Sequence, residues 1–478
     1  MNSTKIYRLL SDQTAVKNNR FLKYLNSPYH NANTAVINLA NLLIKSIKKE
    51  EILTKEDTIK SIYGGQEVPD KKFRKLSSDL ITQYQNFIIQ EEFEKNKLLK
   101  SQLLLESIQV NKISLLEDKA KSNALTTFER EPEKSGIFFN HQYSLNKSIY
   151  NLQSEYDKKM IKKGANRNIN LDALNSSLDQ YYIIEKLRLA CDLIAWQRIY
   201  KIKERPFEVE IMLRMLDRGE LMQNPVISAY VHIYNMLINR DADEHYKQLK
   251  TDIPKHLDYF PAEELREIYD SLLTYNIGRL SVNPEYHLGE ALSIYDFTIE
   301  NEIITDDGHI SPTTFRNYVV IGLRNNQFDR VENFINTKAI LLEEKHRVNA
   351  VNFCMARFYW YQKDWNGVIQ QIAIVEFKDT FYNLDAKMML CTSYYELDEI
   401  DTLEYLLDAY YTFLHRNKYL SDKKIGAYKP FVTYTKRLIK IRVKDKNALI
   451  KLQSSLAEAK VFHGKDWIVE KLNEKLKL

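Results

Sequence analysis

The residues of this chain that are best able to do chemistry are ten histidines and three cysteines, together with the short acidic clusters Asp241–His245 and Asp306–His309. The histidines form no His-Glu-x-x-His pair and no Cys-His ligand set, and no Gly-x-Ser-x-Gly motif is present. Gly64 and Gly65 lack the further glycines of a phosphate-binding loop. Asp241–His245 holds potential metal ligands, yet a turn followed by a helix cap accounts for the same residues. The sequence therefore predicts no catalytic residue, no cofactor and no metal site, and hence no enzyme.

The cysteines and the hydropathy pattern indicate where the protein resides. Cys191, Cys354 and Cys391 lie singly within apolar helical patterns, without the paired spacing of a disulfide framework or a zinc site. We expect them to be buried and reduced. The best uncharged run, 224–239, falls short of the roughly 20 apolar residues that a membrane helix needs, and residues 1–20 lack the apolar core of a secretion signal. The expectation is a cytoplasmic protein without a membrane span.

The composition indicates that helices must position these side chains. Glycine and proline, which interrupt helices, contribute 12 and 10 of the 478 residues, well below their usual share. Hydrophobic residues make up 44% of the chain and include 31 tyrosines, whose rings can fill the groove between two helices while the hydroxyl reaches water. The predicted fold class is all-α.

The net charge of +5 is divided unevenly along the chain. Residues 1–100 carry +6 and residues 416–478 carry +11, so the residues between them carry −12. One interpretation is that helical surfaces are charged, and unevenly so. The others are an end that binds an anionic partner, or an end that docks on the acidic middle of the same or a second copy. The strongest basic stretch, Lys436–Lys446, could form an amphipathic helix that exposes a basic face to solvent or binds an anion with that face.

One pattern of apolar residues occurs three times between Thr314 and His415. Its copies start at Phe328, Trp365 and Ile400, which are 37 and 35 residues apart. Aliphatic residues follow each start at +3 and +7, which is helical spacing. These residues are Val331 and Ile335, Val368 and Ile372, and Leu403 and Leu407. A period of this length holds two antiparallel helices and their turns, and it is typical of helical repeat proteins. We predict that Trp365 is buried between the two helices of its copy.

This register resembles the tetratricopeptide repeat over about Asp172 to Leu420. The small or modest residue that lets the two helices of a repeat approach each other falls at Val319, Ala356 and Cys391. The resemblance implies a right-handed α-solenoid of helix hairpins, in which the first helix of each hairpin lines a concave face.

At full length the chain also resembles a family of bacterial helical-repeat proteins to which no activity is assigned. The stretches that carry this second resemblance are Arg20–Tyr29, Leu178–Cys191 and Asp379–Tyr419. It implies an all-helical architecture and no site residues.

The register places several side chains on the predicted concave face, and some of them are of the types that anchor bound peptides. These are Arg316, Arg324, Arg357, Trp360 and Tyr395. For Trp360 and Tyr395, packing between hairpins is the alternative interpretation. The sequence thus favours a non-catalytic scaffold that binds a protein or peptide on the concave face of the array.

The N-terminal region supports an alternative function. Thr54 caps a short helix, Gly64 and Gly65 make a turn, and an amphipathic helix follows Pro69. This order resembles the winged-helix DNA-binding domain that precedes tetratricopeptide repeats in certain large bacterial transcription activators, although no β-rich wing follows here. The residues that this resemblance implies as nucleic-acid contacts are Lys71, Lys72 and Lys75. The alternative is therefore a DNA-associated transcriptional regulator with a repeat sensor domain, and we favour it less than a plain helical cap on the array.

Four regions are predicted along the chain. Residues 1–93 form the N-terminal helical domain, which is helix-turn-helix-like in the alternative function, and residues 94–165 form a long helical connector. Residues 166–420 form the repeat array, and residues 421–478 form a basic helical cap. The boundary near residue 165 rests on the polar stretch 162–168, the clearest loop in the sequence.

Overall fold

The computed structural model describes residues 4–66, 68–161, 171–199, 209–216, 220–239, 241–375, 380–416, 422–442 and 444–477. Within these residues the chain forms 23 α-helices and no β-strand, and an isolated bridge joins Asp306 to His309. The all-α class predicted from the scarcity of glycine and proline is confirmed. None of the described helices is both long and apolar enough to span a membrane.

The helices are α1 (Lys5–Ser11), α2 (Ala15–Leu25), α3 (Thr34–Lys49), α4 (Lys55–Tyr63), α5 (Asp70–Lys95), α6 (Lys97–Asn111), α7 (Glu117–Glu129), α8 (Gly136–Ile161), α9 (Leu171–Ile199), α10 (Glu210–Leu216), α11 (Pro225–Ile238), α12 (Asp243–Asp252), α13 (Ala262–Gly278), α14 (Pro284–Glu300), α15 (Pro312–Arg324), α16 (Phe328–Lys338), α17 (Glu344–Gln362), α18 (Trp365–Ile374), α19 (Thr380–Glu396), α20 (Ile400–Arg416), α21 (Asp422–Lys440), α22 (Lys446–Glu458) and α23 (Lys465–Lys477).

The chain divides into two compact units. Unit 1 comprises Met1–Arg188 and Val209–Ile227, and unit 2 comprises Leu189–Glu208 and Ser228–Leu478. The division falls within α9 and α11. The four regions predicted from the sequence are finer than these units and stay a prediction; the loop 162–168 lies outside the described residues.

The N-terminal helices of unit 1 begin where the sequence places capping residues. The Thr54 hydroxyl accepts a hydrogen bond from the Asp57 backbone N–H at 3.1 Å and opens α4. Gly64 and Gly65 then take the left-handed backbone, with φ of 64° and 85°, and end that helix. Helix α5 turns one face inward, where Leu80 and Tyr84 join the core formed with α1 to α3. The polar face of α5 is thereby left to solvent.

Three helix pairs in unit 2 are closed by the same turn. In α15/α16, α17/α18 and α19/α20 the turn has a left-handed residue, namely Asn326, Lys363 or Asp398, with φ between 55° and 62°. In each pair a backbone N–H just after that residue donates to a carbonyl five residues back. These bonds are Gln327 N to Gly322 O (2.9 Å), Asp364 N to Tyr359 O (3.0 Å) and Glu399 N to Tyr394 O (2.9 Å). Equivalent sequence positions thus have equivalent backbone geometry.

The side chains that follow these turns are buried in the same way. The residues at +3 and at the close-approach position are fully buried in all three pairs: Val331, Val368 and Leu403, and Val319, Ala356 and Cys391. The starting residues Phe328, Trp365 and Ile400 are only partly buried. Trp365, which we predicted to be buried between the two helices of its copy, is thus only partly buried. It is the first residue of α18, at the end of the helix, whereas the residues at +3 and +7 face the partner helix.

The last three helices share one core with α19 and α20. Fully buried residues of this core include Leu407, Tyr410 and Phe431. Helix α23 is attached to the end of α19 by polar contacts, since the Trp467 indole N–H donates to Glu396 at 2.7 Å and Lys471 pairs with the same carboxylate at 3.0 Å. The C-terminal region is therefore packed into unit 2.

Candidate partner-binding site

The five side chains predicted to bind a partner lie on three helices of unit 2. Arg316 and Arg324 are on α15, Arg357 and Trp360 are on α17, and Tyr395 is on α19. Arg324 is exposed, and the other four are partly buried. Arg357 and Tyr395 contact different residues, Asp385 and Trp467 respectively.

Arg357 is the centre of a buried polar network. Only 11% of its side chain is exposed, and its guanidinium pairs with the Asp385 carboxylate of α19 at 2.5 Å. The second oxygen of Asp385 accepts a hydrogen bond from the Tyr428 hydroxyl of α21 at 2.6 Å. Burial alone would lower the pKa of Arg357, but the Asp385 charge raises it, so the guanidinium is held as a cation. Three helices, α17, α19 and α21, are joined through this network.

The other two arginines act on the same surroundings. Burial and the Asp385 carboxylate raise the pKa of Tyr428, and the positive charges of Arg357 and Arg316 oppose that shift. Burial likewise raises the pKa of Tyr361, against the charges of Arg357 and Arg324. Arg357 and Arg316 thus contribute positive charge at Tyr428, and Arg357 and Arg324 contribute it at Tyr361.

Trp360 is part of the apolar packing beside this network. Its ring packs against a cluster that contains Phe353, Val368 and Met389, and it meets the Tyr361 ring edge to face with centroids 5.2 Å apart. Packing between helices, the alternative interpretation for Trp360, therefore accounts for most of its contacts. Its role in partner binding stays a prediction.

Tyr395 belongs to the C-terminal packing. Its ring meets the ring of Trp467 on α23 edge to face, with centroids 5.1 Å apart. Burial raises the pKa of Tyr395 to about 12, and the charged groups that also act on it are those of Glu396, Lys471, Glu474 and Asp398 rather than the three arginines. The contacts of Tyr395 thus fit the packing interpretation.

Sequence reasoning missed two members of the network, Asp385 and Tyr428. Asp385 is 28 residues from Arg357, and Tyr428 is 43 residues from Asp385. Neither falls on a position that the repeated pattern marks. The sequence held one usable signal, which was that Asp385, opposite in charge to Arg357, lies near the start of α19, the first helix of the following pair.

The lysines of the alternative DNA-binding function lie on the first turns of α5. Lys71, Lys72 and Lys75 are exposed, and the Lys72 ammonium lies 5.1 Å from the centre of the Tyr63 ring. Asp70 beside them pairs with Lys55 and Arg74, and the hydrogen bond from Lys55 lowers the pKa of Asp70. No strand that could form a wing occurs in the described part of unit 1.

The residues first considered for chemistry make structural contacts instead. Asp241 and Asp243 pair with Arg279, and the Nδ1 atoms of His245 and His232 are 2.8 Å apart. All three cysteines are buried and unpaired with each other, and burial raises the pKa of Cys354 to about 12. Among the described residues, no group of three or more His, Cys, Asp or Glu side chains is placed to bind a metal ion.

Comparison with known proteins adds no further assignment. No family model, no curated protein and no solved structure matches this chain. The functional argument therefore rests on the geometry of the chain itself.

Proposed function

We propose that this chain is a non-catalytic scaffold that binds a protein partner on the concave face of a right-handed, tetratricopeptide-like helical array in unit 2. The observation that carries the proposal is that positive charges from two neighbouring helices act on the same two tyrosines: Arg357 of α17 acts on both Tyr361 and Tyr428, Arg324 of α15 on Tyr361 and Arg316 of α15 on Tyr428. Arginine is favoured at binding surfaces because its planar fork forms paired hydrogen bonds with carboxylates.

The proposal that unit 2 forms a helical array is supported by the three turns that share one backbone geometry. Hairpins that close in the same way, and that bury the same positions, stack in the same orientation when their outer faces match. In such a stack α15, α17, α19 and α21 lie side by side as first helices. The hydrogen bonds that run from Arg357 to Asp385 and on to Tyr428 fit this order, since they join three of those helices in sequence.

We infer that Arg316 and Arg324, rather than Arg357, contact the partner. Arg357 is engaged with Asp385 and mostly buried, so its replacement would disturb the fold. Arg324 is exposed and Arg316 partly so. An arginine at the centre of an interface contributes about 2 kcal/mol or more to binding when it is covered by the partner.

The test is the recovery of partners by affinity purification from the native host. We expect the double variant Arg316→Glu with Arg324→Glu to melt as the wild type does and to lose its protein partner, because reversed charges repel the acidic groups that the arginines attract. Lys451→Glu, an exposed reversal on α22, is the matched control and should keep the partner.

Undiminished recovery by the folded double variant would contradict the proposal.

The exposure of Lys71, Lys72 and Lys75 favours the second candidate, a DNA-associated regulator. Recovery of nucleic acid in place of protein, lost when these three lysines are replaced by glutamine, would support that function instead.

A further inference from the structure

Two N–H donors on α17 have no hydrogen-bond acceptor in the part of the chain that the structure describes. The Nε atom of Arg357 and the Nε1 atom of Trp360 are both buried, and neither donates to any group that the structure describes. The two residues are three positions apart, so they are neighbours on one face of the helix. Buried donors in proteins almost always have an acceptor, and two such exceptions side by side call for an explanation.

The nearest carboxylate accepts from neither donor. One oxygen of Asp385 accepts from the terminal nitrogen Nη2 of Arg357, and the other accepts from the Tyr428 hydroxyl. A further acceptor would therefore match the two donors. The positive charges of Arg316 and Arg324 also act on this neighbourhood, and they favour an anion over a neutral acceptor.

We infer that Arg357 and Trp360 form an oxyanion pocket, which accepts a carboxylate or phosphate group carried by the bound protein partner. One oxygen of the group accepts from Arg357 Nε and another from Trp360 Nε1, and both bonds are short and strong because the acceptor is charged. Both side chains are partly exposed although their two donor nitrogens are buried, so the side chains must rotate before an anion from the surface reaches the donors. That the anion is carried by a protein partner rests on the proposed scaffold function, whereas the binding of an anion by Arg357 and Trp360 does not.

The pocket can be tested on the full chain without knowing the partner. The four tryptophans give four indole N–H resonances in protein labelled with ¹⁵N-tryptophan, and Trp360→Phe identifies one of them. The probes are inorganic phosphate, acetate, and a pair of peptides that differ by glutamate or glutamine at one position. Sodium chloride at equal ionic strength is the control for charge screening.

We expect the Trp360 resonance to shift downfield and to saturate with an oxyanion, while the Trp365 resonance does not move. Comparison of the responses to phosphate and to acetate then distinguishes a phosphate group from a carboxylate. The glutamate peptide should shift the Trp360 resonance, and the glutamine peptide should not. Arg357→Lys keeps the positive charge opposite Asp385 but removes Nε, so it should weaken the response about tenfold. A melting measurement confirms that this variant is folded, and Trp365→Phe, the matched change outside the pocket, should leave the response unaltered.

Two results would overturn the pocket. One is a Trp360 resonance that no oxyanion moves, which would mean that an ordered water satisfies both donors. The other is a shift that sodium chloride reproduces or that Arg357→Lys leaves unchanged.

The outcomes also separate the two proposals. Loss of the partner by the variant of Arg316 and Arg324 without any anion response removes the pocket alone, and an anion response with undiminished partner recovery removes the scaffold function alone.

Discussion

At the scale of single residues, Asp385 has the largest consequence for the site. It neutralises the mostly buried Arg357 and accepts the Tyr428 hydroxyl, so two neighbours depend on one carboxylate. A charge that loses its partner away from water is destabilised far more than a neutral group that loses one hydrogen bond. The three residues are thus unequal in their contributions.

We predict that Asp385→Asn lowers the free energy of unfolding by about 3 kcal/mol, because it leaves the Arg357 charge without its counterion. Tyr428→Phe should cost about 1 kcal/mol, since it removes one hydrogen bond and keeps the ring. Urea unfolding of both variants measures the difference. Equal losses, or a stable Asp385→Asn variant, would show that water rather than Asp385 balances the arginine.

At the scale of helices, Gly322 marks a close contact between α15 and α16. A Cβ atom built on this residue would lie 2.4 Å from Cγ2 of Val331, so α15 and α16 pack at a distance that only glycine permits here. The equivalent positions in the next two pairs are Tyr359 and Tyr394.

We predict that Gly322→Ala destabilises the protein by about 1 to 3 kcal/mol, because the added methyl group forces Val331 or the helices apart. Gly426→Ala on α21 is the matched control, since a Cβ there meets nothing within 4 Å. It should be neutral or stabilise by up to about 1 kcal/mol, as alanine favours the helix. Thermal melting compares them, and adding Val331→Ala to Gly322→Ala should recover part of the loss. Equal melting of both glycine variants would contradict the close contact.

At the scale of the whole molecule, stability should depend on pH through histidines that are buried or partly buried. Burial lowers the pKa of His141, His232 and His287 from the usual 6.5. Because each is more easily protonated in the unfolded chain, the unfolded state binds more protons in acid. The resulting contribution to stability is present above pH 6.5 and is lost as the pH falls through the lowered values.

We predict that the melting temperature falls as the pH is reduced from about 7 to 5, before most carboxylates titrate. His287→Gln should reduce this slope, because glutamine does not titrate and can still bond to Asn276, which His287 contacts at 2.8 Å. His309→Gln, at an exposed turn, is the control and should leave the slope unchanged. A melting temperature that is constant over this range would show that these rings bind the same number of protons in the folded and unfolded states.

The sequence by itself determined the local features of this protein. The scarcity of glycine and proline predicted the all-α class, Thr54 predicted the start of a helix, and the spacing after Phe328, Trp365 and Ile400 predicted which residues are buried at +3 and +7. These features are readable because capping and helical periodicity act between residues only a few positions apart.

Only the tertiary structure decided which side chains meet. Asp385 joins Arg357 across 28 residues, and Tyr395 packs against Trp467 rather than beside the arginines. Trp365, which the pattern placed in the core, is partly exposed at the end of α18. The pattern tells which face of a helix is buried, but the distance and angle between two helices depend on how all their side chains pack together. Contacts between separate helices therefore lie beyond what periodicity can specify.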